Sequence, residues 1–279
     1  GKRLILVELS GANDGLNTVI PINDERYAEI RPRIKIDRSK AFNLGNGLVL
    51  NSAMRSLDGA LQAGDLAIMQ GLGYPGQNRS HFKSIALWET GGDGTKSGKN
   101  GWLTEDIEKF TGSEQLDAHG ISLDGGMGIF ASPSGVWLSM TSLGQFSTLQ
   151  KKLAIPNQTL SSNPALSFVL DRAHALNSSM QSISSKISRL RNKNLNINAG
   201  DFGKQVSMAA HLIDAGISAP VLKLKIGSFD THENQTQRHR RLLQDLSKGL
   251  SGLRRALKKS GHWENTLIMT YSEFGRRAK

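Results

Sequence analysis

The sequence contains no cysteine. This absence excludes disulfide bonds, thiolate metal ligands and a cysteine nucleophile. The sequence also has no apolar run close to the roughly 18 to 20 residues that a membrane-spanning helix needs, and it opens on a strand pattern and not on a signal peptide. We therefore expect a chain without a transmembrane segment, in which oxygen and nitrogen side chains supply the chemistry.

Aromatic residues are scarce, at 6% of 279 residues, and the basic residues that give a formal net charge of +11 are spread over many segments. Nucleic-acid surfaces usually combine clustered basic residues with aromatic side chains on which bases stack. This composition therefore argues against a nucleic-acid partner. A positive field also attracts small anions, and we expect the ligand to be a small anionic ester or an anionic polymer.

Strand and helix patterns alternate along the chain, which predicts an α/β fold. Because such alternation with right-handed crossovers gives a mostly parallel sheet, we predict a three-layer α/β/α sandwich. We expect one domain over residues 1–279, in which the Gly-, Ser-, Thr- and Asn-rich residues 91–164 form a loop-rich insertion or cap. The predicted strands cover residues 3–9, 66–70, 221–226 and 266–271.

A polar cluster follows each predicted strand, and the carboxyl ends of parallel strands share one edge of a sheet. Three carboxylates at one edge would repel one another unless a cation lay among them. We therefore predict a divalent metal, which could be zinc, manganese, magnesium or calcium. The predicted ligands are Asp14, Asp230, His232 and Glu273.

The same clusters contain candidates for catalysis and ligand binding. Ser80 lies at a predicted helix N-terminus, where a bound anion is favoured and its hydroxyl could act as a nucleophile. His81 could serve as an acid or a base. Arg79 and Arg276 could bind phosphate or sulfate oxygens, and Asn13 is a further candidate for ligand binding.

Each of these residues also has an ordinary structural explanation. Asp14 lies in an Asn-Asp-Gly sequence that is typical of a turn, and Ser80 occupies a position that any N-cap serine takes. His232 could cap the following helix, His81 could pack under its loop, and Glu273 could pair with a neighbouring arginine. Their shared position after predicted strands favours a site.

Four motifs in this order resemble the bacterial domain-of-unknown-function 1501 family, over essentially the whole chain. They are ELSGANDGLN at residues 8–17, NRSHF at 78–82 with WETG at 88–91, FDTH at 229–232 with Gln235, and SEFGR at 272–276. The resemblance implies an alkaline phosphatase-like superfamily with a metal-dependent hydrolase activity on phosphate or sulfate esters. It also implies twin-arginine export, and therefore a periplasmic or extracellular location.

By the same resemblance, Asp14 would bridge metals, Ser80 would lie near the nucleophile, and Asp230 and His232 would form one metal site. Glu273 and Phe274 would stand where the superfamily has the aspartate and histidine of Ser-Asp-His-Gly. A later Thr-Asp-His-Gly motif of the family is not present, so we expect the sheet to lack its C-terminal strands. The alternative is a catalytically inactive binding or secretion-associated protein that holds an anionic ligand or partner.

Overall fold

The computed structural model describes residues 1–105, 107, 115–152, 162–190 and 195–278. Five strands form a central sheet in the order β6-β5-β7-β1-β8, and three form a small sheet in the order β2-β4-β3. All strand pairs of the central sheet are parallel. The strands are β1 (Arg3–Leu9), β2 (Val19–Ile20), β3 (Ala41–Gly45), β4 (Leu48–Asn51), β5 (Gly120–Ser122), β6 (Trp137–Ser139), β7 (Val221–Ile226) and β8 (Thr266–Tyr271).

Helices flank this sheet, and the predicted α/β fold with a mostly parallel central sheet is confirmed. The N-terminal end of α5 is fixed by Asn163, whose side chain accepts hydrogen bonds from the first backbone N–H groups of that helix. The α-helices of the described residues are α1 (Glu25–Ile30), α2 (Asp58–Gln62), α3 (His81–Thr90), α4 (Leu143–Lys152), α5 (Pro164–Arg189), α6 (Gly200–Asp214) and α7 (Gln235–Ser260).

The main core lies between the sheet and helices α6 and α7. Ile5 and Val7 of β1 are fully buried in it, together with Leu243 and Leu253 of α7. Successive strand residues point to opposite faces, so Leu6 packs in a second, smaller core on the other face of the sheet. The continuous apolar run of β1 therefore reflects burial on both faces.

Lys223 of β7 is a charged residue that is buried in the sheet. Its ammonium lies 2.9 Å from Glu8 and 2.8 Å from Asp124, and all three side chains are nearly inaccessible to solvent. A buried lysine keeps its charge when carboxylates surround it, and here they hold its pKa above the ordinary value against the effect of burial.

One of the four strand predictions is wrong. The runs at 3–9, 221–226 and 266–271 are strands with the predicted bounds, but residues 66–70 form an irregular segment after α2. Met69 in this segment is 77% exposed. An apolar run indicates a tendency to be buried, but a strand also requires a neighbour that pairs with its backbone, and none of the described strands pairs with this segment.

Residues 91–164, which were predicted as a loop-rich insertion or cap, contain the short strands β5 and β6. Both strands extend the central sheet beyond β7. Residues 106, 108–114 and 153–161 of the same region lie outside the described residues. Among the helices that the structure describes, none is long and apolar enough to span a membrane.

Candidate functional site

The loops that follow β1, β7 and β8 meet at one edge of the sheet, as the parallel order predicts. The loop after β1 approaches the loop after β7 so closely that a Cβ atom on Gly11 would lie 2.5 Å from the backbone nitrogen of Asp230. Gly11 has φ +107° and the next residue, Ala12, has φ +62°. Both the contact and the left-handed backbone require glycine at position 11.

Asp14 is buried in this edge, with 1% of its side chain exposed, and forms an ion pair with Arg31, which is 4% exposed. Arg31 donates to Oδ1 at 2.9 Å, and the Gln235 amide donates to Oδ2 at 2.6 Å. The backbone N–H of Asn17 also donates to Oδ1. Burial raises the pKa of Asp14, and the Arg31 charge offsets only part of this rise. Both carboxylate oxygens therefore already have donors.

Glu273 lies just after β8 and is 2% exposed. Its Oε1 accepts hydrogen bonds from the backbone N–H groups of Gly11 at 2.9 Å and Ala12 at 3.1 Å. The same oxygen lies 2.7 Å from Nδ1 of His81, the first residue of α3. Glu273 thus stabilises the loop after β1 and holds the imidazole of His81.

Asp230 lies at the centre of a group of cationic and imidazole side chains. Arg276 donates to its Oδ1 at 2.6 Å, and Nε2 of His232 lies 2.9 Å from the carboxylate. Nε2 of His81 lies 3.7 Å from Oδ2. Although burial acts to raise it, the pKa of Asp230 is below its ordinary value because Arg276 and His232 donate hydrogen bonds to the carboxylate.

These side chains line a cleft of about 1120 Å³ at the edge of the sheet. Asp230 is the one carboxylate among the described lining residues, whereas four arginines line the same cleft. Two of the arginines, Arg79 and Arg277, are exposed and have no carboxylate partner among the described residues. The full lining is Ala12, Arg31, Ile34, Gly76, Gln77, Asn78, Arg79, His81, Asp230, His232, Gln235, Phe274, Gly275, Arg276, Arg277 and Ala278.

Four predicted site residues are not among the described residues that line the cleft: the buried carboxylates Asp14 and Glu273, and also Ser80 and Asn13. Ser80 is exposed at the N-cap of α3, where its side chain makes no capping hydrogen bond, and it is not among the described residues that line the cleft. The side chain of Asn13 is used internally, because its Oδ1 lies 2.9 Å from Nε2 of His239 and its amide donates to Thr18. His239 is buried, and burial lowers its pKa to about 4, with the charges of Arg276 and Arg31 adding to the effect.

The four predicted metal ligands do not converge on one point. Asp14 and Glu273 already accept hydrogen bonds from several N–H groups, and Arg276 and His232 contact Asp230. Over the described ranges, no group of three or more His, Asp or Glu side chains has the arrangement of a metal site. Arg31 beside Asp14 and Arg276 beside Asp230 provide positive charge that the predicted cluster of carboxylates requires. The residues, as they are arranged, do not fit a divalent metal.

Sequence reasoning missed Arg31, Arg277 and His239. Arg31 is the C-cap residue of α1, and no local pattern connects it with Asp14. Arg277 was considered only as a possible partner of Glu273. His239 lies among basic residues on α7, but it is only 3% exposed. Its distance of four residues from Gln235, one helical turn, is a signal that both face the site.

The searches of curated proteins and of solved structures found no match. A family model described as a protein of unknown function, DUF1501, matches residues 59–279, which is most of the chain. The matched part contains three of the motifs that carried the resemblance, with Arg79, His81, Asp230, His232, Glu273 and Arg276. The chain therefore belongs to the DUF1501 family.

Proposed function

We propose that this protein binds an anionic ligand that carries phosphate or sulfate groups, in the cleft at the carboxyl ends of β1, β7 and β8. The observation that carries this proposal is the charge of the cleft lining, four arginines against one carboxylate. Arg276 is paired with Asp230 and Arg31 with Asp14. Arg79 and Arg277 have no carboxylate partner among the described residues, so their charges are available to bind a ligand.

Guanidinium groups suit this ligand because their planar set of N–H donors matches the oxygens of phosphate and sulfate. Arg79 precedes the N-terminal end of α3, where the free backbone N–H groups and the helix dipole add to the attraction for an anion. The net charge of +11 brings anions toward the protein from a distance. A small ester and an anionic polymer share this chemistry.

Isothermal titration calorimetry with inorganic phosphate, inorganic sulfate and long-chain polyphosphate tests the proposal. Replacing an arginine that binds the anion by glutamine removes a charged hydrogen bond of about 1.5 to 3 kcal/mol, which is about a tenfold or greater loss of affinity. We expect this loss for Arg79→Gln and for Arg277→Gln. Arg255→Gln is the matched control, because Arg255 is an exposed arginine near the far end of α7.

Equal affinity of the wild type, the double variant Arg79→Gln/Arg277→Gln and the control would contradict the proposal. The salt dependence separates the two kinds of ligand, because a polymer that contacts several cations loses affinity steeply as salt rises. Export to the periplasm or beyond stays a prediction that rests on the resemblance.

A further inference from the structure

The hydrogen bond between Glu273 and His81 indicates which nitrogen of the neutral imidazole carries the hydrogen. Oε1 of Glu273 already accepts two backbone N–H groups and lies 2.7 Å from Nδ1 of His81. An oxygen that accepts in this way requires a donor at Nδ1, so the neutral ring carries its hydrogen there and a lone pair at Nε2. Nε2 has no hydrogen-bond partner closer than the 3.7 Å contact with Asp230 in the part of the chain that the structure describes.

The position of the ring is fixed on two sides, while its free nitrogen lies at the cleft. The ring of Phe274 packs against the imidazole with centroids 4.8 Å apart, and Glu273, which holds Nδ1, is buried. The His81 side chain is 35% exposed and lines the cleft. A histidine that is oriented by a buried carboxylate and exposes Nε2 to a ligand has the geometry of a general base.

We propose that His81 is a general base for the hydrolysis of a phosphate or sulfate ester and that Glu273 is its positioning residue. The inference rests on the proposed function, because Arg79 and Arg277 must hold the ester. The 3.7 Å separation between Nε2 of His81 and Oδ2 of Asp230 allows one water to donate a hydrogen to each atom. This water then directs a lone pair away from both side chains, toward the bound ester.

In the reaction, the water oxygen bonds to phosphorus or sulfur while the bond from that atom to the ester oxygen breaks. The water gives one proton to Nε2 of His81 and keeps the other as the hydroxyl of the released phosphate or sulfate. The departing ester oxygen takes a proton from solvent, and His81 returns its proton to solvent. Glu273 stabilises the imidazolium that forms, in the way that a buried carboxylate does beside a catalytic histidine.

Steady-state kinetics with nitrophenyl phosphate, bis(nitrophenyl) phosphate and nitrophenyl sulfate test the inference. General-base catalysis contributes about 100-fold to 10,000-fold, so we expect His81→Gln to lower kcat at least 100-fold. Glu273→Gln keeps an oxygen that can accept from Gly11, Ala12 and His81 but removes the charge, and should lower kcat by a smaller factor. His262→Gln is the control, because His262 lies before β8, at the opposite edge of the sheet.

Chemical rescue separates a base from a structural histidine. Added imidazole should restore part of the turnover of His81→Ala, and turnover of the wild type should persist with a chelator. Phosphate binding without turnover of any of these esters, turnover unaffected by His81→Gln, or loss of turnover in chelator would each overturn the inference and leave the anion-binding function standing. Failure to bind phosphate, sulfate or polyphosphate would overturn the proposed function itself.

Discussion

The buried histidine behind the site should make the stability of the protein depend on pH. His239 has a pKa of about 4 in the folded chain against an ordinary value of 6.5, chiefly because of its burial. As the pH falls through this interval, the unfolded chain takes up a proton that the folded chain does not, so stability is lost toward acid. The full loss, reached below the folded-state value, is about 3 kcal/mol.

The difference between the two pKa values of His239 also gives the loss of stability over a pH range that is convenient to measure. Between about pH 7 and about pH 5, these two values predict that His239 lowers the free energy of unfolding by about 2 kcal/mol. Urea unfolding of the wild type and of His239→Gln at both pH values measures it, since glutamine can still donate to Asn13 but does not titrate. Other groups that titrate are common to both proteins and cancel in the difference. Equal losses of stability in the two proteins would refute the reasoning.

Two further predictions concern the carboxylates of the site. Arg31→Met leaves Asp14 buried without its ion-pair partner, so the free energy of unfolding, measured with urea, should fall by about 3 kcal/mol or more. The double variant Arg31→Met/Asp14→Asn should recover much of this loss. A double variant no more stable than Arg31→Met would contradict the prediction. Mass spectrometry should find less than one equivalent of zinc, manganese, calcium or magnesium per chain, because the residues that the structure describes do not form a metal site. A full equivalent that disappears in Asp230→Ala would instead establish the predicted metal centre.

The positions of three strands of the central sheet could be predicted from their largely apolar runs. The bounds of β1, β7 and β8 were predicted correctly. Neighbouring elements cover the apolar residues of β1 and β7, whereas β8 lies at the edge of the described sheet and its Leu267 is 64% exposed. The run at 66–70 is equally apolar, yet no described strand pairs with it. Pairing is a relation between distant segments, which the local pattern of one segment does not contain.

The location of the site was predictable, but the partners of its side chains were not. The rule that ligands bind at the carboxyl ends of parallel strands brought Asp230, Glu273 and Arg276 to one edge. The expectation of a metal depended on carboxylates with no cation between them. Arg31 supplies such a cation from α1, and backbone N–H groups of the loop after β1 stabilise Glu273. Neither contact has a signal in the local sequence.

The contact of Glu273 with Gly11 also determines when the cleft can exist. The two residues are 262 positions apart in sequence, and the loop after β1 depends on this carboxylate for its left-handed turn. During synthesis, the first strand leaves the ribosome long before β8 does. We therefore expect the cleft to form only after β8 has joined the sheet, because a nascent chain without β8 also lacks Glu273, which orients His81.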